Sequence, residues 1–599
     1  MSPWGRHRLY DIASPRECRW HCEGPTASRC DGEISSALQG ASLPQILKQV
    51  YANRGVQHPD ELVLTLNQLL PPQSLKGIQD AAELLADAIE GEGRVLIVGD
   101  FDADGATSCA MAVSVLQQMG LQEVAYLVPN RFEFGYGLTP EIVELAAAQA
   151  PDLIVTVDNG ISSIEGVLAA RQLGISVLIT DHHLPGSALP EADVIVNPNQ
   201  PGCSFPSKSL AGVGVMFYVL SALRATLRER DWFSERGIAP PNLGDALDLV
   251  ALGTVADVVP LDRNNRILVA AGLARIRSGR ARPGIEALFE VAGRDHREAT
   301  ASDLGFIVGP RLNAAGRLDD MSIGIECLLA ESSVSARERA QTLHQMNRER
   351  RDIEQSMQQD ALAQLETLDL ADDALPFAMT LYDPSWHQGV IGILASRIRE
   401  RTHRPTVIFA KSDDGWLKGS GRSIPGIHLR DMLDQVATRH PGLLSKFGGH
   451  AMAAGLSLAE ARLDDFNQAL NEAIAITLDH RPPQRIQDSD GSLEARDLTL
   501  STAEQVTQAG PWGQQFPEPL FDGAFTVKRH RIVGEKHLKL SLALGNTEVE
   551  AIAFNIDVAS WLENPLPQLG ALYRLGINDY RGDRSAQLVI DSFWALDSG

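Results

Sequence analysis

Three aspartates stand at alternate positions, Asp100, Asp102 and Asp104, directly after the apolar run Val95-Leu96-Ile97-Val98-Gly99. Carboxylates this close repel one another, and a cation must hold them together if they share a site. Three more acid-bearing points follow. Leu153-Ile154-Val155-Thr156-Val157 runs into Asp158-Asn159-Gly160, Val177-Leu178-Ile179-Thr180 into Asp181-His182-His183, and an apolar stretch near Leu252 into Gly253-Thr254-Val255-Ala256-Asp257. Imidazole beside carboxylate suits Mn2+ or another transition metal better than oxygen ligands alone. The candidate metal ligands are therefore Asp100, Asp102, Asp104, Asp158, Asp181, His182 and Asp257. So many ligands fit two ions, Mn2+ or Mg2+, better than one. A pair about 3.5–4 Å apart is the arrangement for in-line displacement at phosphorus. The first segment alone has a plainer reading, in which Asp104 caps a helix and its neighbours are solvated loop acids.

Groups so far apart in sequence converge only if the fold brings strand ends together. Parallel strands do this, because their carboxyl ends share one edge of the sheet. From Ala81 to Asn199, strands are expected at Val95–Val98, Val124–Val128, Leu153–Val157, Val177–Thr180 and Val194–Val196. Helices are expected near Thr107–Met119, Pro140–Ala150 and Ser163–Leu173. That alternation predicts an α/β fold with a parallel, doubly wound sheet. Leu210–Leu227 reads as a helix in which Gly212 and Gly214 permit close packing, and Asp257 falls on or just after a helix over Asp245–Val255. The loop Asn130–Leu138 leaves the same edge as the acids, so Arg131 could reach a phosphate; a surface ion pair accounts for it equally well. Gly309–Arg317 reads as a Gly/Asn loop whose Arg311, Asn313 and Arg317 suit phosphate contacts. A tight inter-helix turn is the alternative.

Val334–Leu368 is polar and rich in helix formers. As one helix it spans roughly 50 Å, too lightly apolar for a coiled coil, and reads as a spacer between two lobes. Residues 371–480 read as a second α/β unit, with strands at Ala378–Tyr382 and Thr406–Phe409 and a helix opened by Trp386–Gly392. Lys418–Ser423 reads as a glycine-rich cationic loop, in which backbone N–H groups and Arg422 cradle a phosphate. Phe447–Gly455, containing Gly448, Gly449 and His450, reads as a glycine-rich turn into a helix. His450 as a packed, structural histidine stays open. Beyond Ile486, five strand-like runs (Ala524–Val533, His537–Leu544, Val549–Asn555, Ala571–Ile577 and Gln587–Phe593) predict an OB-fold β-barrel. Lys528, Arg529, His530, Arg531, Lys536 and Lys539 form a local basic cluster there. With Phe525, Tyr573 and Tyr580 it fits a single-strand groove of charge plus stacking; charged protection of edge strands is the other reading.

Composition narrows the class. The chain has 599 residues and a net charge of −24, which excludes a coat of non-specific DNA-binding charge but not a local basic channel. No apolar run reaches the length of a membrane span, and the first residues lack the apolar core of a signal peptide. Six cysteines over this length argue for a reducing, cytoplasmic setting. Cys18, His21, Cys22 and Cys30 lie in a Pro/Ser/Gly-rich N-terminal stretch and match no strong zinc template.

The four acid-bearing motifs resemble, in order, those of the DHH phosphoesterases. The wording VGDFDADGATS, VDNGISS, TDHH and ALGTVADVVPL is closest to the family's bacterial single-strand-specific 5′→3′ DNA exonucleases. The resemblance runs from about Leu43 to the C-terminus. It implies a DHH catalytic domain over 41–333, a connecting helix over 334–370, a DHH-associated substrate-binding domain over 371–482 and the OB-fold over 483–599, with 1–40 a disordered extension. It implies hydrolysis of single-stranded DNA to 5′-mononucleotides in recombination and repair. Asp158 and His183 would act in catalysis, His183 from behind the ligands or on the transition-state phosphate. Arg131, Ser420 and Arg422 would grip the 5′ phosphate, His450 would touch the scissile region, and a narrow passage would admit one strand. Single-strand binding protein and a RecQ-type helicase are implied as partners of a monomeric, non-membrane enzyme. Small-substrate phosphoesterases share the chemistry but resemble only the first two lobes. A non-catalytic replication scaffold would lack ligands that are all in place here.

Overall fold

The structure is a computed structural model that describes residues 9–10, 26–130, 137–367, 375–412, 415–580 and 582–596. It divides into two compact units, one of residues 58–350 with 510–518, the other of the remaining chain.

The first unit is built on a five-stranded sheet: β1 (Val95–Gly99), β2 (Val124–Leu127), β3 (Leu153–Val157), β4 (Ser176–Thr180) and β5 (Val194–Val196), in the order β2-β1-β3-β4-β5. Every neighbouring pair is parallel. Strands of this kind are covered on both faces and so read as unbroken apolar runs. Leu96, Val98, Ile154, Val177 and Ile179 pack on one face with Ile142, Val143 and Val167, carried by α2 (Pro140–Ala147) and α3 (Ile164–Gln172). Val95, Ile97, Val155 and Leu178 point the other way and are as fully buried, on the face of α1 (Ala103–Gln118) and α4 (Gly212–Glu229). Next come α5 (Leu247–Ala256), α6 (Gly309–Leu318) and the 35-residue α7 (Ser333–Thr367). The expected loop over Gly309–Arg317 is thus a helix: Pro310 sits in its first turn, and the π-turn over Leu304–Val308 before it accommodates the missing N–H.

Helix α7 buries two separate stripes. Ala336, Ala340 and Leu343 are buried in its first half; Met357, Ala361 and Leu365 pack in its second half with Leu381, Val390 and Leu394. Leu381 belongs to the second sheet, of β6 (Met379–Tyr382), β7 (Thr406–Lys411), β8 (Trp416–Arg422), β9 (Lys446–Gly449) and β10 (Ala453–Ala459) in the order β9-β10-β8-β7-β6, and Val390 and Leu394 to the start and body of α8 (Ile391–Thr402) between β6 and β7. Two glycine-rich segments therefore differ from expectation. Lys418–Arg422 is the central strand β8, whose backbone pairs with β7 and β10. Phe447–Gly455 lies in the β9–β10 hairpin, so its turn leads into a strand and not directly into a helix. The glycines serve packing: a Cβ on Gly419 would lie 2.5 Å from the Phe409 ring and 2.8 Å from Leu456.

The C-terminal barrel is β11 (Phe521–Val533), β12 (His537–Leu544), β13 (Thr547–Ala553), β14 (Gln568–Tyr580) and β15 (Asp583–Ala595). It closes through β13–β15, β15–β14 and β14–β11 pairing, the OB-fold closure that removes sheet edges. The patternless N-terminal stretch gains structure from this region. Thr26–Arg29 pairs with Ile486–Ser489, and Arg29 forks onto the buried Asp522 at 2.7 and 3.1 Å. Cys18, His21 and Cys22 lie outside the described residues. Among those residues no helix is long and apolar enough to cross a membrane.

Arg54, closing the helix Gln45–Asn53, meets Asp490 through two bonds of 2.8 and 3.0 Å, with side-chain exposures of 4% and 7%. Arg54→Ala leaves a buried carboxylate without its cation, a cost of about 3–5 kcal/mol. The urea midpoint of the second unit is expected to fall, and Arg54→Ala with Asp490→Leu to recover much of the loss. An unchanged midpoint would contradict this.

Candidate active site

The order β2-β1-β3 reverses direction at β1, and in such sheets a crevice opens outside the strand ends at that switch point. Asp100 follows β1 and Asp158 follows β3, on either side of it. The chain turns at Asp102, whose extended backbone and Oδ1 cap α1 by accepting from Asp104 N and Gly105 N. The cap is therefore Asp102 and not Asp104. Asp104 sits one residue inside the helix and points elsewhere: Gly212 N donates to its Oδ2 at 2.6 Å and Val213 N to its Oδ1 at 2.9 Å. The N-terminus of α4, the positive end of its macrodipole, thus faces a buried acid.

Glycine permits these approaches. A Cβ on Gly212 would stand 2.6 Å from the Asp158 Cβ, and one on Gly253 of α5 would stand 2.8 Å from Asp104 Oδ1. Asp158 itself is left-handed, at φ +62°. Asp257 caps the C-terminus of α5. His182 Nε2 lies 3.1 Å from Asp158 Oδ1 and 3.4 Å from Asp257 Oδ2. Ligand atoms lie within 4.8 Å of one another in three sets: Asp100, Asp102 and Asp158; Asp104, His182 and Asp257; Asp158, His182 and His183. The sets share Asp158 and His182, so they form one centre.

The electrostatics call for a proton or a cation. Burial first, then the Asp102 charge, push the Asp104 carboxyl up to about 7 despite its two N–H bonds. Burial and the surrounding charges of Asp104 and Asp102 push Asp158 and Asp257 well above the carboxylate range. Carboxylate oxygens with an imidazole nitrogen are a donor set for Mn2+, and a divalent ion here would relieve the repulsion the residues impose on one another. The residues therefore fit the ion.

Asp181 stands apart from all three sets. Its Oδ2 accepts from Ile161 N, and its Oδ1 accepts from His182 N, His183 N and the His183 ring at 2.7, 3.1 and 2.8 Å. Burial raises this carboxyl, but the His183 bond and charge outweigh it and hold it below its usual range. Asp181 thus orients the two histidines. Burial pulls His183 down, yet the Asp181 bond and the nearby acids carry it up to about 9, so it is cationic at neutral pH.

The candidate phosphate residues divide. Arg131 lies outside the described residues. Arg311 is buried, its Nη1 donating to Ile307 O at 2.5 Å and its Nε to His344 at 3.3 Å. Asn313 Oδ1 accepts from Ala103 N at 2.8 Å, which holds the start of α1 in place; Arg317 is half-buried on the same helix. Sequence reasoning missed the supporting role of α6, because no motif marks a contact across so many residues.

In the second unit, Arg422 Nη1 donates to Ser420 Oγ at 3.2 Å. A Cβ on Gly392, in the first turn of α8, would stand 2.9 Å from both Ser420 Oγ and Arg422 Nη2. A hydroxyl, a guanidinium and a helix N-terminus meet there, the make-up of an anion site. The expected cradle of β8 backbone N–H groups is absent, since the ladder uses them. Gly392 was missed as part of the site; a glycine in the first turn of a helix was the available signal. His450 is exposed at the β9–β10 tip beside Gly449 and the open Gly448, so it is not a packed structural histidine. On the barrel, Lys528 and Arg529 are exposed, and Arg529 pairs with Glu548 at 3.0 Å. Phe525 and Tyr573 are buried in the barrel core, so the expected stacking on them is corrected.

Metal binding needs these carboxylates ionised. Asp104, raised to about 7, holds its proton below that pH in the metal-free protein. Mn2+ affinity is therefore expected to fall as pH drops through about 7, with protons released on binding. Calorimetry in two buffers of different ionisation enthalpy reads both, and an affinity constant across that range would contradict it. Asn313→Ala, which frees the start of α1, is expected to weaken Mn2+ binding roughly 10- to 100-fold, as loss of a supporting contact does. Unchanged affinity would remove that role.

Family models match three stretches: the DHH family N-terminal domain over residues 94–254, the DHHA1 domain over 375–476 and the RecJ OB domain over 489–592. The chain is 56% identical over 557 residues to the single-stranded-DNA-specific exonuclease RecJ of Dickeya dadantii, covering 93% of this chain and 97% of that one. It is 54% identical over 558 residues to RecJ of Escherichia coli, with the same coverage. The solved structure of RecJ from Thermus thermophilus in complex with Mn2+ matches at a TM-score of 0.76 and 30% identity, over 94% of this chain and 78% of that one. The Mg2+ complex of that protein matches at 0.71 and 28% over 94% and 76%. The acids gathered at the switch point of a parallel sheet, the second α/β sheet and the closed barrel are thus those of a known architecture, and the chain belongs to the RecJ family of single-stranded-DNA-specific exonucleases.

Proposed function

We propose that this chain hydrolyses single-stranded DNA from the 5′ end to 5′-mononucleotides, with two divalent ions, Mn2+ or Mg2+, held by Asp100, Asp102, Asp104, Asp158, His182 and Asp257. The observation that carries the reading is the meeting of two ligand sets, Asp100 with Asp102 and Asp158 and Asp104 with His182 and Asp257, each within 4.8 Å and joined where His182 Nε2 lies 3.1 Å from Asp158 Oδ1. When bound, the ions would activate water and neutralise charge developing on the phosphate.

The chain's own residues do the rest. Asp158, which shares a set with Asp100 and Asp102 and stands 3.1 Å from His182 Nε2, is the residue whose loss would disturb both ions. Asp181 holds His183 as a cation beside the centre, where it stabilises the phosphate in the transition state. Ser420 and Arg422 bind the terminal phosphate in the second unit, Gly392 keeping the space for it, and Arg131 adds a further contact; a grip on a 5′ phosphate sets the polarity. His450, at an exposed tip with Gly448 and Gly449, contacts the substrate backbone. Lys528 and Arg529 add a weaker electrostatic contact, Arg317 another. The substrate is single-stranded DNA, and the setting is cytoplasmic recombination and repair, as a monomer working with single-strand binding protein and a RecQ-type helicase.

With Mn2+ and oligonucleotides labelled at either end, the 5′ label is expected to leave at once as mononucleotide, and Asp158→Ala to abolish release. Cleavage confined to dinucleotides or very short RNA would favour a small-substrate phosphoesterase. Binding without cleavage at any divalent metal would favour a scaffold. Gly392→Val, which fills the space beside Ser420 and Arg422, is expected to remove the preference for a 5′-phosphorylated over a 5′-hydroxyl strand. An unchanged preference would place the phosphate grip elsewhere.

A further inference from the structure

Phe306 is 74% exposed. It sits in the middle of a single π-turn, Leu304–Val308, immediately before α6. The cause of the turn is local. Pro310 has no N–H to offer the Phe306 carbonyl, and its ring crowds that carbonyl. The helix widens, with Gly309 N reaching back to Leu304 O and Arg311 taking up Ile307 O. Leu304 and Val308 turn inward and are fully buried, while Phe306 between them is pushed out.

This turn packs on the end of α5 that carries Asp257. A Cβ on Gly305 would stand 3.2 Å from Val255, and one on Gly309 would stand 3.1 Å from Ala256. The residue after Asp257 is Val258, 62% exposed with φ +60°, a conformation that a β-branched residue adopts at a cost. A ligand-bearing helix end thus shows water an aromatic ring and a strained aliphatic side chain. Folding alone would place polar residues or glycine there.

We propose that Phe306, carried on the turn that packs against the Asp257-bearing end of α5, is a stacking platform for a base of the strand held at the metal centre. The proposal rests on the exonuclease reading above. Carboxylates and ions recognise only the phosphate; an aromatic face recognises a base of any kind and makes the site sequence-tolerant. A base is free to stack on protein only when it is unpaired, so the platform also selects single strands over duplex.

The test compares two 5′-phosphorylated oligonucleotides, one normal and one with stable abasic residues near the 5′ end, using the full chain with Mn2+. Loss of one base–aromatic stack corresponds to roughly a 5- to 150-fold rise in KM. Phe306→Ala is expected to show that rise on the normal strand with little change in kcat, and Phe306→Trp to restore the wild-type KM. On the abasic strand, wild type and Phe306→Ala are expected to be alike. Mn2+ affinity, measured by calorimetry, is expected to stay unchanged. An unchanged KM, or an equal loss on both strands, would overturn the platform. Binding read by fluorescence anisotropy with Ca2+ in place of Mn2+ makes the same comparison without turnover. Failure of wild type to cleave would therefore defeat the exonuclease reading, while the dissociation constants still decided the stacking.

Discussion

Repulsion among buried carboxylates is the constraint on which the first unit depends. Asp104 and Asp158 are each about 1% exposed, and Asp100, Asp102 and Asp257 stand around them. Charges in this setting raise one another's pKa or demand a cation. The fold supplies partial relief through the N-terminus of α4 on Asp104 and the His182 ring between Asp158 and Asp257. It leaves the remainder to a divalent ion, so the site is assembled strained and completed by its metal.

The scaffold must resist that repulsion, and it does so by close packing of backbone. Gly212 brings α4 against Asp158, Gly253 brings α5 against Asp104, and a Cβ on Gly105 would stand 2.7 Å from the Asp100 carbonyl carbon. Helix α6 ties the Asp102 turn from the far side through Asn313. Asp181 spends both oxygens on backbone N–H groups and His183, which turns two adjacent histidines to different tasks.

The strands and their acids were legible in the sequence because parallel strands buried on both faces read as unbroken apolar runs, and Leu153–Val157 and Val194–Val196 fall where the pattern placed them. The long helix α7 and the barrel strands followed from composition and turn residues. Glycine misled where it served packing: Gly419 lies under Phe409 and Leu456 in a central strand, and the pattern of Lys418–Arg422 is the same one a phosphate loop would show. Pro310 misled in the same way, since a proline in a helix's first turn resembles a loop. The inward roles of Asp181, Arg311 and Asn313 depend on partners that only the folded chain brings near. The burial of Phe525 and Tyr573 likewise depends on which strand face the register turns into the barrel, which the expected strand runs alone do not reveal.

The most direct test of the account is the anomalous scattering of Mn2+ in crystals of the chain, because it locates the ions independently of turnover. The account predicts two peaks roughly 3.5–4 Å apart, with Asp158 between them, His182 and Asp257 on one, Asp100 and Asp102 on the other, and no ion on the oxygens of Asp181. A single peak bound through Asp181, or no peak among these acids at saturating Mn2+, would contradict it.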